Sequence, residues 1–268
     1  MGVGVAYGTP GNFGPYVVIR TLPTSFTGLL GGLTFTGGSL YALDTSGNIY
    51  QLNPLTGQTL ADWSVPGLLI QSGDENPTGL AWDGNTFWMA SYGTQNRNYI
   101  RGLTLGSSPI ATVNITYHLS ITSPLNWPMD LTYANGSLMY PQYMGPIREF
   151  NPATGQVVGS LPSPNNLVYG LTFDSQDLLA AYGPSGSAPA GTVWRISAQT
   201  GAILDTWQTG APDIYALAYD QLSQTLFIGT RNNGIIVAQA PEPGSITIGA
   251  LGMIALLLSK ASTKRRNN

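Results

Sequence analysis

The chain is predicted to be all-β, a β-propeller of five four-stranded blades followed by a hydrophobic C-terminal helix. Three observations lead there. A leucine-centred pattern recurs five times within 268 residues, a turn bearing Pro and Gly recurs downstream of it, and no segment before Ile246 has a helical period. Units of ~40–50 residues with four strands each are the sequence mark of a propeller. On this reading residues 1–11 are a disordered or truncated N-terminus, 12–240 the propeller, and 241–268 a tail.

The first strand of each unit reads small-or-acidic, Leu, Ala-or-Thr, aromatic. The five copies are Gly32-Leu33-Thr34-Phe35, Gly79-Leu80-Ala81-Trp82, Asp130-Leu131-Thr132-Tyr133, Gly170-Leu171-Thr172-Phe173 and Ala216-Leu217-Ala218-Tyr219. Their leucines lie 47, 51, 40 and 46 positions apart. A second apolar strand follows at Leu40, Phe87, Leu138, Leu178 and Leu226, offset by 7 residues in four units and 9 in the fifth. Such near-constant spacing fits a tight antiparallel hairpin, with Gly37-Gly38, Asp83-Gly84-Asn85 and Asn135-Gly136 as its turns.

Third strands alternate strictly, as in Ile49-Tyr50-Gln51-Leu52, Ile147-Arg148-Glu149-Phe150 and Val193-Trp194-Arg195-Ile196. Then comes Asn53-Pro54-Leu55-Thr56-Gly57, its copy Asn151-Pro152-Ala153-Thr154-Gly155, and a relaxed version, Ser197-Ala198-Gln199-Thr200-Gly201. Proline presets φ at the first turn position and glycine supplies the left-handed residue that re-enters a strand. Fourth strands are expected at 58–63, 156–161 and 202–207. The fifth unit has no fourth strand before the tail, while residues 16–23, ending Leu22-Pro23, match 156–162, ending Leu161-Pro162. The N-terminal strand is therefore expected to complete the last blade and leave no open edge. Five blades follow; six would require sequence upstream. The pattern over residues 12–240 resembles the quinoprotein-like and YVTN-type propellers, a resemblance that implies architecture and leaves function open.

Composition narrows the partners. Residues 1–241 hold 6 Arg and no Lys against 12 acidic residues, a net charge of −6; both lysines, Lys260 and Lys264, lie in the tail. Nucleic-acid binding needs clustered cations and is not expected. Cysteine is absent, which excludes disulfides and thiolate chemistry. With 34 Gly, 19 Pro and 9% charged residues, the chain suits a turn-rich β protein.

The tail carries three elements in order. Pro241-Glu242-Pro243 is extended and breaks helices; an apolar run follows from Ile246 through Leu251 and Ile254 to Leu258; Lys260, Lys264, Arg265 and Arg266 close it. As a helix the run would be about 20 Å long. A comfortable membrane span takes ~20 apolar residues, so transient retention is expected rather than permanent residence. This order resembles the PEP-CTERM sorting signal of exopolysaccharide-producing bacteria. The resemblance implies export, an inner-membrane intermediate, cleavage at Pro-Glu-Pro by an exosortase-type enzyme, and release to the cell surface or extracellular matrix. A tail of this kind acts after export, yet Met1 to Tyr7 has no basic region or apolar run of signal-peptide length. A start called too far downstream, or a fragment, is expected.

Ordinary catalytic signatures are missing. The one histidine, His118, is read as the exposed face of a blade-edge strand, and a single histidine cannot build a multi-histidine metal site. There is no phosphate-cradling Gly-Lys-Ser/Thr loop and no Gly-x-Ser-x-Gly elbow; Ser185 sits in a low-complexity loop. Asp44-Thr45-Ser46-Gly47-Asn48 reads as a hairpin turn, since it lacks the distal glutamate of a calcium loop. No cofactor is expected.

Residues ahead of the first strands should ring the channel mouth: Glu75, Asn76, Asn126, Asp130, Asn166 and Asp213. Propeller lactonases of the gluconolactonase type are similar in placing Glu, Asn and Asp there on a divalent cation. The alternative function is accordingly a metal-dependent hydrolase, with Glu75, Asp130, Asn166 and Asp213 as ligands. The other reading is a non-enzymatic binding or structural module, with exopolysaccharide as the partner. Trp82, Trp88, Tyr92, Trp127, Tyr140, Tyr143, Tyr169 and Tyr215 fall at strands and loop edges. Trp82 and Tyr219 repeat in register and are assigned to the core; Trp127, Tyr143 and Tyr92 are the candidates for ligand contact.

Overall fold

A computed structural model describes residues 16–26, 28–68, 75–94, 97–119, 127–183, 191–211, 213–230 and 234–239. The tail residues Pro241, Glu242, Pro243, Ile246 to Leu258 and the four cations, together with Asn126 and Ser185, lie outside these, so the expected C-terminal helix does too. Among the described residues no helix is long and apolar enough to cross a membrane.

Twenty strands form five antiparallel sheets of four. Blade 1 holds β2 (Leu30–Thr36), β3 (Ser39–Asp44), β4 (Asn48–Leu52) and β5 (Thr59–Ser64). Blade 2 holds β6 (Asn76–Trp82), β7 (Phe87–Tyr92), β8 (Tyr99–Thr104) and β9 (Thr112–His118). In blade 3 they are β10 (Thr132–Ala134), β11 (Ser137–Pro141), β12 (Ile147–Asn151) and β13 (Gln156–Leu161). Blade 4 is β14 (Val168–Phe173), β15 (Asp177–Tyr182), β16 (Thr192–Ser197) and β17 (Ile203–Gln208). Blade 5 takes β18 (Ile214–Asp220), β19 (Thr225–Thr230), β20 (Ile235–Gln239) and, as its outermost strand, β1 (Val17–Leu22). The five innermost strands touch in a ring that closes from β18 back to β2.

The repeat sets the register. In every blade the aromatic residue of the first strand stands opposite the apolar residue that opens the second: Phe35 with Leu40, Trp82 with Phe87, Tyr133 with Leu138, Phe173 with Leu178, Tyr219 with Leu226. The offset of 9 in blade 5 is absorbed by a four-residue turn, Gln221 to Gln224. In the recurrent Asn-Pro turn, the asparagine contributes more than the proline. Asn53 Oδ1 accepts from the amides of Leu55 and Thr56 at 2.8 and 3.2 Å, and Asn151 Oδ1 repeats this with Ala153 and Thr154. The Ser197 hydroxyl takes the same place in the relaxed copy, bonding the amides of Gln199 and Thr200. Gly57, Gly155 and Gly201 follow in the left-handed conformation.

The N-terminal strand closes the ring as expected, with Val17 opposite Gln239 and Leu22 opposite Ile235. Each outermost strand carries one extra residue: Ile19, Leu60, Asn114, Val158 and Leu204. Aligning the Leu22-Pro23 and Leu161-Pro162 ends puts Ile19 on Val158, so β1 has the bulge of a true fourth strand. A bulge also spoils an edge as a template for another chain.

Packing runs between blades. Five apolar clusters each span one pair of neighbours; one unites Leu22, Leu33 and Leu52 of blades 5 and 1 with Phe227 and Val237 of blade 5. Trp88 and Tyr140 are buried in the cluster between blades 2 and 3. His118 is exposed at the end of the edge strand β9, its ring 5.4 Å from that of Tyr99. Asp44 is fully buried and closes its hairpin turn, its Oδ1 accepting from the amides of Ser46 and Asn48 at 2.9 Å each and its Oδ2 from the Tyr50 hydroxyl.

Candidate functional site: an aromatic mouth

The inner strands run in one direction, so their first residues ring one end of the axis and their last residues the other. Four of them bulge near the start: β2 at Gly31, β6 at Thr78, β14 at Tyr169 and β18 at Tyr215. A bulge re-aims the side chain of its extra residue. All four line one cavity of about 340 Å³, with Met129 from the equivalent position of blade 3. Counted from the repeat leucine, these are the residues two positions earlier in each blade.

Five half-buried rings follow one another around this mouth. Tyr92 at the end of β7 stacks on Trp127, centroids 4.6 Å apart and planes 12° apart. Trp127 meets Tyr143 at 5.7 Å; Tyr143 meets Tyr169 edge-on at 6.4 Å; Tyr169 meets Tyr215 edge-on at 5.4 Å. The amide of Tyr143 donates to the carbonyl of Trp127 at 2.8 Å, pinning the two loops together. Burial first, then the neighbouring Tyr215 and Tyr143, pushes the Tyr92 hydroxyl above the ordinary phenol range, so it stays a neutral donor. Asn76, Thr45 and Thr78 add polar groups, and no charged side chain lines the cavity among the described residues. Sequence reasoning singled out Trp127, Tyr143 and Tyr92; the structure joins them to Tyr169 and Tyr215.

The proposed metal ligands are spread apart. Glu75 is buried beside the cavity, and Arg101 grips both its oxygens, through Nη1 to Oε1 and through Nη2 to Oε2 at 3.2 Å. Ser91 Oγ donates to Oε1 at 2.6 Å, and the guanidinium lies 4.5 Å above the ring of Tyr99. Asp130 is fully buried on the axis. Its Oδ1 accepts from the Leu131 amide at 2.8 Å and its Oδ2 from the Leu171 amide at 2.7 Å, and the Leu217 amide of blade 5 bonds it as well. Burial outweighs these amides and raises its pKa well above the ordinary 3.8. Asn166 is exposed, its carbonyl accepting from the Met144 amide, and Asp213 stands half-buried at φ 52° just ahead of β18. Among the described residues no three acidic or histidine side chains gather to hold a metal ion. Glu75 ties strands within blade 2 and Asp130 bonds blade to blade, roles that strand-start position alone could not separate from ligation.

Beneath the mouth the axis is filled. A Cβ on Gly32 would lie 2.5 Å from the Leu80 nitrogen, and one on Gly79 would lie 2.4 Å from the Leu131 nitrogen. Backbone thus packs on backbone between blades 1, 2 and 3, while the Asp130 carboxyl reaches across to blades 4 and 5. The mouth is a closed-bottomed cup.

No family model matches the chain, and no curated protein does. It is similar to the crystal structure of glutaminyl cyclase from Myxococcus xanthus, at a TM-score of 0.67 and 16% identity, over 83% of this chain and 95% of that one. The fold is a five-bladed β-propeller. At that identity the likeness extends to the fold alone. Since the similar protein is an enzyme by name, the fold argues neither for nor against catalysis here.

Proposed function

We propose that this chain is an exported β-propeller that binds a neutral saccharide in its aromatic mouth and acts as a surface or matrix module. The observation that carries the binding part is the arc from Tyr92 through Trp127 and Tyr143 to Tyr169 and Tyr215 around a cup that no charged side chain lines among the described residues. The apolar C–H face of a pyranose lies flat on such rings, while its hydroxyls reach phenols and amides at their edges. The metal-dependent hydrolase is not favoured, because Glu75 and Asp130 commit their oxygens to Arg101 and to backbone amides.

Export and sorting rest on the order of elements in the tail, Pro241-Glu242-Pro243, the apolar run and the basic cluster. An exosortase-type enzyme would cut near Pro241 and release the propeller toward exopolysaccharide. Intact-mass analysis after expression behind an export signal, in a host carrying an exosortase, tests this. Loss of mass corresponding to the tail, with the propeller outside the membrane fraction, is expected; a full-length chain kept in the membrane would sink the sorting part.

The binding part is tested by titrating the protein with cellohexaose and laminarihexaose while following tryptophan fluorescence. Trp127→Ala is expected to weaken binding at the cup by about tenfold or more, equivalent to about 1.4 kcal/mol. Unchanged affinity would remove the mouth from recognition. Ammonia released from a peptide bearing an N-terminal glutamine, and lost in Trp127→Ala, would replace the binding reading with an enzymatic one.

A further inference from the structure

At the opposite end of the axis the inner strands finish on the aromatic residues of the repeat. Trp82 and Tyr219, expected in the core, are only half-buried, as are Phe35, Tyr133 and Phe173. Each packs one flank on an inter-blade cluster; Phe35, for example, stacks on Phe227 at 5.5 Å. Their other flanks surround a chamber of about 100 Å³ that opens into a vestibule of about 660 Å³. The residues one step earlier in the repeat, Thr34, Thr132 and Thr172, line that chamber with hydroxyls, and Gln221 stands at its rim. This end is a second aromatic cup, built by one ring from every blade.

The two cups share no lining residue, and between them the inner strands pack backbone to backbone while the Asp130 carboxyl reaches across to blades 4 and 5. From Tyr215 to Tyr219 is four residues of strand, so they open in opposite directions about 13 Å apart. Asp220 is the one charged residue lining the second cup among the described residues, and the turns beside it carry Asp83 and Asp174. No Lys or Arg lines the second cup among the described residues, and the nearby Arg195 is held by Asp174 and Asp177 at 3.3 and 2.8 Å, so nothing there recruits an anion. Rings with an apolar face, hydroxyls and no charge match this lining, as they match the first.

We infer that the second mouth is an independent saccharide site, which makes the propeller a two-ended cross-linker of neutral polysaccharide. The ligand class rests on the reading of the first mouth; the site rests on its own residues. Two sites facing opposite ways cannot grip one short segment together, but they can tie two chains, where avidity in a network exceeds either affinity.

Calorimetric titration of the full chain with cellohexaose, and with laminarihexaose as second probe, decides it. Wild type is expected to bind two oligosaccharides per protein. Trp82→Ala should bind one, Trp127→Ala one, and the double variant none. Phe173→Ala, on another blade, should repeat the Trp82→Ala result, with near-ultraviolet circular dichroism verifying that each variant is folded. Wild type should also raise the viscosity of a soluble mixed-linkage β-glucan, and either single variant should abolish that rise. One site per protein, lost wholly in Trp127→Ala and untouched in Trp82→Ala, overturns the second site while leaving the first. Loss in Trp82→Ala with Trp127→Ala unaffected overturns the first and keeps the second. Failure of wild type to bind either probe overturns both.

Discussion

Arg101→Ala is expected to lower the unfolding free energy by about 3–5 kcal/mol, the cost of leaving a buried charge without its partner. Glu75 is 1% exposed and Arg101 7%, so both are largely withdrawn from water. With the guanidinium gone, the Ser91 hydroxyl cannot replace two charge-assisted bonds. Exchanging both ionic residues for methionine, similar in length and apolar, should cost far less, because it removes the charges together with their desolvation penalty. Urea titrations of wild type, Arg101→Met, Glu75→Met and the double methionine variant close a cycle that gives the coupling, with Arg101→Ala measured beside them. A loss below about 1 kcal/mol in Arg101→Ala, the scale of an exposed pair, would show that the pair is hydrated. The ion pair spans three strands of one blade, tying the segment entering β6 to β7 and β8. Its loss should therefore loosen blade 2 before the others, which hydrogen exchange would resolve.

Asp130→Ala is expected to be comparably costly. Three amides from blades 3, 4 and 5 lose their acceptor on a dry axis, at about 1–3 kcal/mol for each buried donor left unmet. The same carboxyl gives stability a pH dependence of unusual sign. Burial raises its pKa in the folded protein, so above about 3.8 the unfolded chain has released a proton that the folded chain still holds. The folded state then binds more protons, and stability falls as pH rises from that point until the folded pKa is passed. Asp130→Asn carries no such proton. The stability difference between wild type and Asp130→Asn should shrink as pH increases through this window. A difference that is constant or that grows would mean the carboxyl is ionised in the fold and held so by its amides.

Much of the fold was legible because one five-residue stretch does several jobs in each blade. Around the repeat leucine, the residue before it is small where inner strands touch, as at Gly32, Gly79 and Gly170. The aromatic two residues after it meets the opening apolar residue of the next strand, which gave the hairpins their constant offset. Ring closure was legible from the Leu-Pro ending shared by β1 and β13. The site was less so. Trp127, Tyr143 and Tyr92 stand out as loop and strand-end aromatics, but Tyr169 and Tyr215 turn toward the axis because they are bulged, and a bulge leaves no mark in hydrophobic alternation. Their common place two residues before the leucine was the signal available. Trp82 and Tyr219 were assigned inward because a recurring aromatic ordinarily fills a core; here the five copies converge on an opening instead. The Arg101–Glu75 pair joins residues 26 positions apart, and no local pattern announces such a partner.

The strand that closes the ring also dictates when the protein can become whole. Residues 17–22 leave the ribosome before any blade exists, yet their partners, 235–239, are among the last of the propeller to follow. Until then blade 5 is missing and the flanks of blades 1 and 4 stand open to one another. Contacts of such sequence separation form slowly, because the intervening chain must be ordered before they reward it. On the proposal of export, β1 would stay unpaired until residues 235–239 had also crossed. The ring is thus fastened last, by the join between its two ends. Splicing Gln239 to Tyr16 and opening the chain ahead of blade 1 would make that last step local, and such a permutant should fold faster while keeping both cups.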